Sequence, residues 1–336
     1  MDKFFKNKII LITGGSGFLG QALTKKFLSY NPKNIRVFSR DESKQEVMEE
    51  NFHDKRLRFL IGDIRDKERL KRAMKDVDIV IHTAALKRVP IAEYNPFEFI
   101  KTNVDGSQNV IDACVNEGVD ICLGISTDKS VSPNNLYGAT KLSMEKLFVA
   151  ANYFKSSKNT IFTCVRYGNV LGSNGSVAPK FIQQIENKHA ITVTDDTMTR
   201  FNITIDESLE LILSALKLAK GSEIFIPKLK SYRLKDLVQA LQEISKKPFK
   251  IKKISIRMGE KKDELLLNKY EAPFSIESNG LYILLPPNYE TFPKVRKLYP
   301  NSKILKFDTY SSSQSVFLTV PQIKNLLIKN KLVPKF

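Results

Sequence analysis

Short apolar runs alternate with longer segments in which apolar residues recur every three or four positions through the first half of the chain. The runs at 9–13, 35–39, 57–61, 79–82, 121–126 and 160–166 have the length and β-branched content of strands, whereas 21–30, 67–74, 104–117 and 137–154 carry helical spacing. Strand and helix in that rhythm predict an α/β fold with a doubly wound parallel sheet, because each parallel crossover needs a connection of helix length. From about residue 168 the pattern loosens into Gly and Ser loops, with helices at 177–187, 206–219, 234–244 and 321–330 and strand-like runs at 250–256 and 281–285. The expected organisation is a Rossmann-like dinucleotide-binding domain over 1–167, and a smaller α/β substrate lobe over 168–336 with some segments returning to the first sheet.

At 336 residues and 42% apolar content the chain can bury a large core. Its three cysteines, Cys114, Cys122 and Cys164, lie apart in apolar segments and form neither a disulfide framework nor a metal knuckle, so no metal is expected. No apolar run reaches membrane-spanning or signal-sequence length, which points to a cytoplasmic protein with no membrane partner. Lys and Arg number 54 against 36 Asp and Glu, for a net charge of +18. The excess is mostly scattered lysine, denser at 246–253 and Lys261-Lys262, without interleaved aromatics. A solvated basic surface around an anion-binding pocket is expected, not a nucleic-acid stripe.

The first strand is followed directly by Thr13-Gly14-Gly15-Ser16-Gly17-Phe18-Leu19-Gly20, which opens a helix. Gly14, Gly17 and Gly20 permit a tight turn and close backbone approach, and the helix start offers free N–H groups to a pyrophosphate, with Gly15, Ser16 and Phe18 in the same loop. The second strand ends in Ser39-Arg40-Asp41-Glu42-Ser43-Lys44; Ser39, Arg40 and Lys44 suit the 2′-phosphate of NADP, while Asp41 or Glu42 keeps NAD open. Asp63 and Ile64 after the third strand suit the adenine, with a helix N-cap as the alternative for Asp63. Ala84 and Ala85 after the fourth are small where a cofactor must pass.

Tyr137 and Lys141 stand one helical turn apart, downstream of a strand-end Ser126-Thr127, a spacing that suits a phenol acting as base on a hydroxyl during hydride transfer. With these residues the chain resembles the extended short-chain dehydrogenase/reductase superfamily, whose members modify nucleotide sugars. Ser126-Thr127-Asp128-Lys129 followed by Asn135-Leu136-Tyr137-Gly138-Ala139-Thr140-Lys141 is similar to the inverting UDP-N-acetylglucosamine 4,6-dehydratases of the pseudaminic-acid type. Lys87 to Pro96, Arg166 to Val170, Met198 to Phe201, Arg257 to Lys261 and Tyr310 to Ser312 extend the resemblance over nearly the whole chain.

The resemblance implies a tightly bound NADP regenerated in each turnover, a homo-oligomer (dimer or hexamer), and a cycle in which the C4 oxygen is oxidised, water leaves across C5–C6 and hydride returns to C6. Thr127 would bond the sugar near C4. Tyr137 would be the base at the C4 hydroxyl, neutral Lys129 the base at C5 and protonated Asp128 the acid at C6. Such an acid–base pair needs strongly shifted pKa values and hence burial, and because neighbours in a strand point oppositely, the chain must be irregular at this pair. On the substrate side the resemblance assigns Lys87, Thr127, Tyr137, Asn169, Val177, Arg200, Arg257 and Glu260, with Lys87 also near the cofactor; Arg257 suits a diphosphate and Glu260 a ribose diol.

The chain departs from the pattern at Phe18-Leu19, Asn174, Asn202, Lys262-Asp263 and Phe317, mostly in the substrate half. These departures bear on the sugar and the assembly more than on the reaction. A retaining dehydratase, a UDP-hexose 4-epimerase and a catalytically silent NADP-binding regulator are the alternatives; the first two are separated by the fate of C5.

Overall fold

The computed structural model of the chain describes residues 3–153, 160–173, 175–245, 248–288 and 290–334. The end of the helix expected at 137–154, Asn174 and part of the lysine-rich run at 246–253 therefore lie outside the described residues.

Six strands build the parallel part of the main sheet: β1 (Ile9–Thr13), β2 (Asn34–Ser39), β3 (Leu57–Ile61), β4 (Ile79–His82), β5 (Ile121–Thr127) and β6 (Ile161–Tyr167). They lie in the order β6-β5-β4-β1-β2-β3, that of a dinucleotide-binding Rossmann sheet. Every residue of β1 and β4 is buried, which explains their unbroken apolar sequences: a strand covered on both faces has no polar side.

Three small-sheet strands follow, β7 (Asn169–Val170), β8 (Ile191–Val193) and β9 (Thr199–Ile203). Then β10 (Ile224–Pro227) rejoins the main sheet in parallel beside β6. Of the rest, β11 (Lys230–Arg233) pairs with β9, β12 (Ile251–Lys253) with β8, and β13 (Leu265–Leu267) with a distal strand. The sheet is then extended by β14 (Ser275–Ser278), β15 (Leu281–Leu284) and β16 (Lys303–Ile304), which run antiparallel and bring it to ten strands, while β17 (Tyr310–Ser311) is the partner of β13.

The crossovers are α1 (Phe18–Leu28), α2 (Glu42–Phe52), α3 (Lys67–Met74), the short α4 (Val89–Tyr94) and α5 (Pro96–Ile100), α6 (Gly106–Glu117) and α7 (Leu136–Ala151). The helix expected from residue 104 begins instead with a wide π-type turn at Lys101–Asp105. That turn presents Asn103, whose side-chain amide exchanges two 2.8 Å bonds with the Leu86 backbone and donates to Thr140 Oγ1 at 3.0 Å, tying the loop after β4 to α7.

In the second half, α8 (Val177–Glu186), α10 (Leu234–Ser245) and α12 (Val320–Lys329) close a separate apolar cluster, whereas α9 (Ile205–Leu218) packs on the main core; the short α11 (Phe292–Arg296) lies near the sheet edge in sequence. The start of α9 is a reciprocal cap, Thr204 and Glu207 satisfying each other's backbone N–H. No helix among the described residues is long and apolar enough to cross a membrane.

Candidate active site

One cleft of about 1440 Å³ runs from the loop after β1, past the ends of β4 and β5, to the turn at 257–260. It opens at the C-terminal ends of the strands, where the order reverses between β1 and β4, the usual place for a ligand in a doubly wound sheet.

The glycine loop makes its first turn at Gly14, whose φ of +65° and a Cα only 2.9 Å from where a Cβ would stand, that of Ala84, admit no side chain. Gly14, Ser16, Gly17, Phe18 and Gly20 line the cleft; Gly15 does not, being packed on Val37. Ser16 Oγ donates to Ser39 Oγ at 2.9 Å, joining the loop to the end of β2. With no side chain capping the start of α1, this tight cradle fits a dinucleotide pyrophosphate.

Around the expected ribose end, Arg40, Asp41 and Lys44 reach the cleft wall, and Glu42 does not: it stands exposed in the first turn of α2. Asp41 caps α2, accepting from the Lys44 backbone at 3.0 Å and pairing with its ammonium. Asp63 lines the cleft with Ile64, Ala84, Ala85 and Lys87. The Asp63 carboxylate is held by Arg65 at 2.7 Å, with Arg40 3.6 Å away. The helix cap considered for Asp63 belongs instead to Asp66, which accepts from Arg69 N–H. Burial, with Arg88 and Lys129 nearby, lowers the Lys87 pKa.

The irregularity required at the acid–base pair is a single 3₁₀ turn, Asp128–Ser130, capped by Thr127 at the end of β5. It lets adjacent side chains meet: Lys129 Nζ lies 3.0 Å from Asp128 Oδ1. Thr127 Oγ1 donates to the same oxygen at 2.9 Å. The start of α7 presses on the turn so closely that a Cβ on Gly138 would sit 2.2 Å from the Lys129 carbonyl oxygen. Thr127, Lys129, Tyr137 and Lys141 line the cleft, whereas Asp128 is fully buried and reaches it only through these neighbours.

The protonation pattern differs in part from expectation. Burial raises the Asp128 pKa against the pull of Lys129, as an acid requires. Lys129 is not neutral here: burial would lower its pKa, but Asp128 and Glu264 together outweigh burial and hold it above the ordinary lysine value. The Tyr137 hydroxyl is pushed up to about 12 by burial, partly offset by Lys129. Lys141 is lowered to about 8 by burial. Its Nζ contacts Met144 Sδ at 2.9 Å, and the charges that bear on the phenol are those of Lys129 and Asp128.

On the far wall, Asn169 Oδ1 accepts from Lys129 Nζ at 3.1 Å. Val177, at the start of α8, and Arg200, on β9, line the cleft with Arg257 and Glu260. Arg257 and Glu260 sit in one turn at Gly259, whose carbonyl accepts from Asn135 Nδ2 at 2.8 Å. Arg200 Nη2 lies 3.8 Å from Glu260. Asn202 is buried on β9, and Asp263 accepts from Thr199 Oγ1 at 2.5 Å, so both departures from the family pattern are accommodated by the fold.

Sequence reasoning missed Glu264, Lys180 and Tyr167 on this wall. Glu264 closes the charge-dense run Glu260-Lys261-Lys262-Asp263-Glu264, in which nothing distinguishes a buried acid from solvated ones. Among the described residues no cluster of His, Cys, Asp and Glu could hold a metal ion.

A family model described as "Polysaccharide biosynthesis protein" matches residues 10–285. The inverting UDP-N-acetylglucosamine 4,6-dehydratase of Campylobacter jejuni subsp. jejuni serotype O:2 is 49% identical over 284 residues, 84% of either chain. The UDP-glucose 4-epimerase of Rickettsia prowazekii is 37% identical, covering 98% of both. The crystal structure of Pen from Bacillus thuringiensis superposes with a TM-score of 0.91 at 40% identity, covering 99% of this chain and 100% of that one.

Proposed function

The chain belongs to the polysaccharide biosynthesis protein family, and on that premise we propose that it is an inverting UDP-N-acetylglucosamine 4,6-dehydratase, as its Campylobacter relative is named. One observation carries the reading: a buried Asp128–Lys129 pair beside Tyr137 on a cleft that begins at a dinucleotide-type glycine loop. The cofactor is a nicotinamide dinucleotide, held at the glycine loop and Ser39. NADP is the form we assign, because Asp41 is committed to capping α2 and to the Lys44 ammonium and Glu42 lies off the cleft, while Arg40 stands on the cleft wall as a cation for a 2′-phosphate.

When bound, that cofactor supplies the hydride chemistry, taking hydride from C4 and returning it to C6. Tyr137, ionised to the phenolate when a cationic nicotinamide lies beside it, would accept the C4 hydroxyl proton, and the resulting 4-keto group would acidify the C5 proton. Lys129 takes the C5 proton while Asp128 gives a proton to the C6 hydroxyl, which leaves as water. A proton from solvent, added to C5 on the opposite face as hydride returns to C6, completes the inversion. The working form of the pair is the tautomer in which the Lys129 proton has moved along the 3.0 Å hydrogen bond to Asp128. Thr127, on the cleft wall and bonded to Asp128, links the buried acid to the substrate space.

The epimerase reading, prompted by the Rickettsia relative, has no use for an acid–base pair following Thr127. Incubating the cofactor-loaded protein with UDP-N-acetylglucosamine in deuterated water tests the choice. A 6-deoxy-4-keto product with deuterium at C5 and inverted C5 couplings in the proton NMR spectrum is expected, and Lys129→Ala should lower its formation by about 10²–10⁴-fold. Unchanged substrate or its C4 epimer would refute the reading, and retained C5 couplings would make the enzyme a retaining dehydratase.

A further inference from the structure

The Lys129 ammonium donates to Asp128 Oδ1 at 3.0 Å and Asn169 Oδ1 at 3.1 Å, and it is ion-paired with Glu264 Oε1 at 3.3 Å. Glu264 comes from the second half of the chain, immediately before β13. It is 2% exposed, and its second carboxylate oxygen is buried without a hydrogen-bond partner. Such a group is costly to bury as an anion unless cations face it.

Its backbone is fixed independently of its charge. The Glu264 N–H donates to Ser312 Oγ at 2.9 Å and the Ser312 N–H returns a bond to the Glu264 carbonyl at 2.9 Å. Ser312 Oγ in turn lies 2.6 Å from Thr199 Oγ1. The Tyr310-Ser311-Ser312 segment, noted in the sequence without a role, is therefore the clamp that aims this carboxylate at Lys129.

We propose that Glu264 is a positioning residue for the elimination step: its carboxylate holds the Lys129 ammonium in place and raises the proton affinity of the Asp128–Lys129 pair, so that the amine is a stronger base when it takes the C5 proton. This rests on the dehydratase reading given above. The pair titrates as a unit: the working form carries one shared proton, and activity falls when a second proton adds at low pH or the shared one is lost at high pH. An adjacent anion favours the protonated forms and moves both limits upward. The groups bearing on the cluster are Asp128, Lys129, Arg200 (Nε at 4.0 Å from Glu264) and Lys261, with Lys87, Tyr137 and Tyr232 also facing Lys129.

The test is the pH profile of product formation from UDP-N-acetylglucosamine, followed by NMR, for wild type, Glu264→Gln and Glu264→Asp. Glu264→Gln keeps the shape and removes the charge, so both limbs of its bell should move to lower pH by about 1–3 pH units, the range for losing one opposite charge at this distance. On the high-pH limb each unit of that shift should lower its rate about tenfold relative to wild type. Glu264→Asp keeps the charge, so its limbs should stay near the wild-type positions even if its rate falls. Limbs that do not move in Glu264→Gln, or that move equally in both variants, would overturn the proposal while leaving the dehydratase reading intact. Absence of the 6-deoxy-4-keto product from wild type would sink that reading and the proposal with it.

Discussion

At the scale of single residues, the two lysines of the site are placed in opposite surroundings although both are buried. Lys129 is ringed by acceptors and keeps its proton, while Lys141 has a sulfur and few charges near it and is lowered to about 8 by burial. The sign of the stability effect follows. Between about pH 8 and the ordinary lysine value of 10.5, the unfolded chain binds a proton at Lys141 that the folded chain does not, so stability from this group rises with pH across that window. In the cofactor-free protein, stability measured by urea unfolding should therefore rise for wild type relative to Lys141→Met across that window, by about 3 kcal/mol at most. A constant difference between the two proteins over that range would show that Lys141 keeps its proton in the fold. Residue types, spacing and the family resemblance singled out Thr127, Asp128, Lys129, Tyr137 and Lys141, which lie close together in sequence and which the fold gathers at the cleft. They did not disclose the charge state of Lys129, which depends on Glu264, a residue far away along the chain and brought near only by tertiary structure.

Among elements, β6, α7 and the segment after β13 are joined by one buried cation. Arg166 on β6 makes paired bonds to Glu145 of α7 at 2.9 and 2.7 Å and to Glu271 at 3.0 and 2.9 Å, and donates to the Leu266 carbonyl at 3.0 Å. Glu145 Oε1 is also 3.0 Å from Ser130 Oγ, the last residue of the 3₁₀ turn at Asp128–Ser130. Arg166→Met would leave Glu145 buried without its cation and should cost about 3–5 kcal/mol in urea unfolding. A loss under 1 kcal/mol would mean that water or a shifted neighbour can replace the guanidinium. The parallel strands were legible because continuous apolar runs have one simple explanation. The short pieces β7, β8, β11 and β17 were not, since two to four residues carry no period, and the π-type turn before α6 breaks a helical pattern that reads as unbroken in sequence.

For the molecule as a whole, the cleft is walled by residues from Gly14 to Glu264, so ligands bound there join distant parts of the chain. Saturating UDP-N-acetylglucosamine should raise stability by about 2.7 kcal/mol at a hundredfold excess over its dissociation constant. NADP should raise the melting temperature more than equal NAD does, and an Arg40→Ala variant should narrow that gap; equal shifts in wild type would speak against NADP. The order in which the walls are made has a further consequence for a growing chain. Ribosomes add about 5–20 residues per second, and Tyr137, Lys141 and the glycine loop are synthesised long before Glu264 and the Ser312 clamp. A chain translated only as far as α7 therefore carries the glycine loop, Asp128, Lys129 and Tyr137 but not Glu264, the second carboxylate facing Lys129. On the proposed reading, the complete charge set around Lys129 exists only once the chain has been made past Ser312.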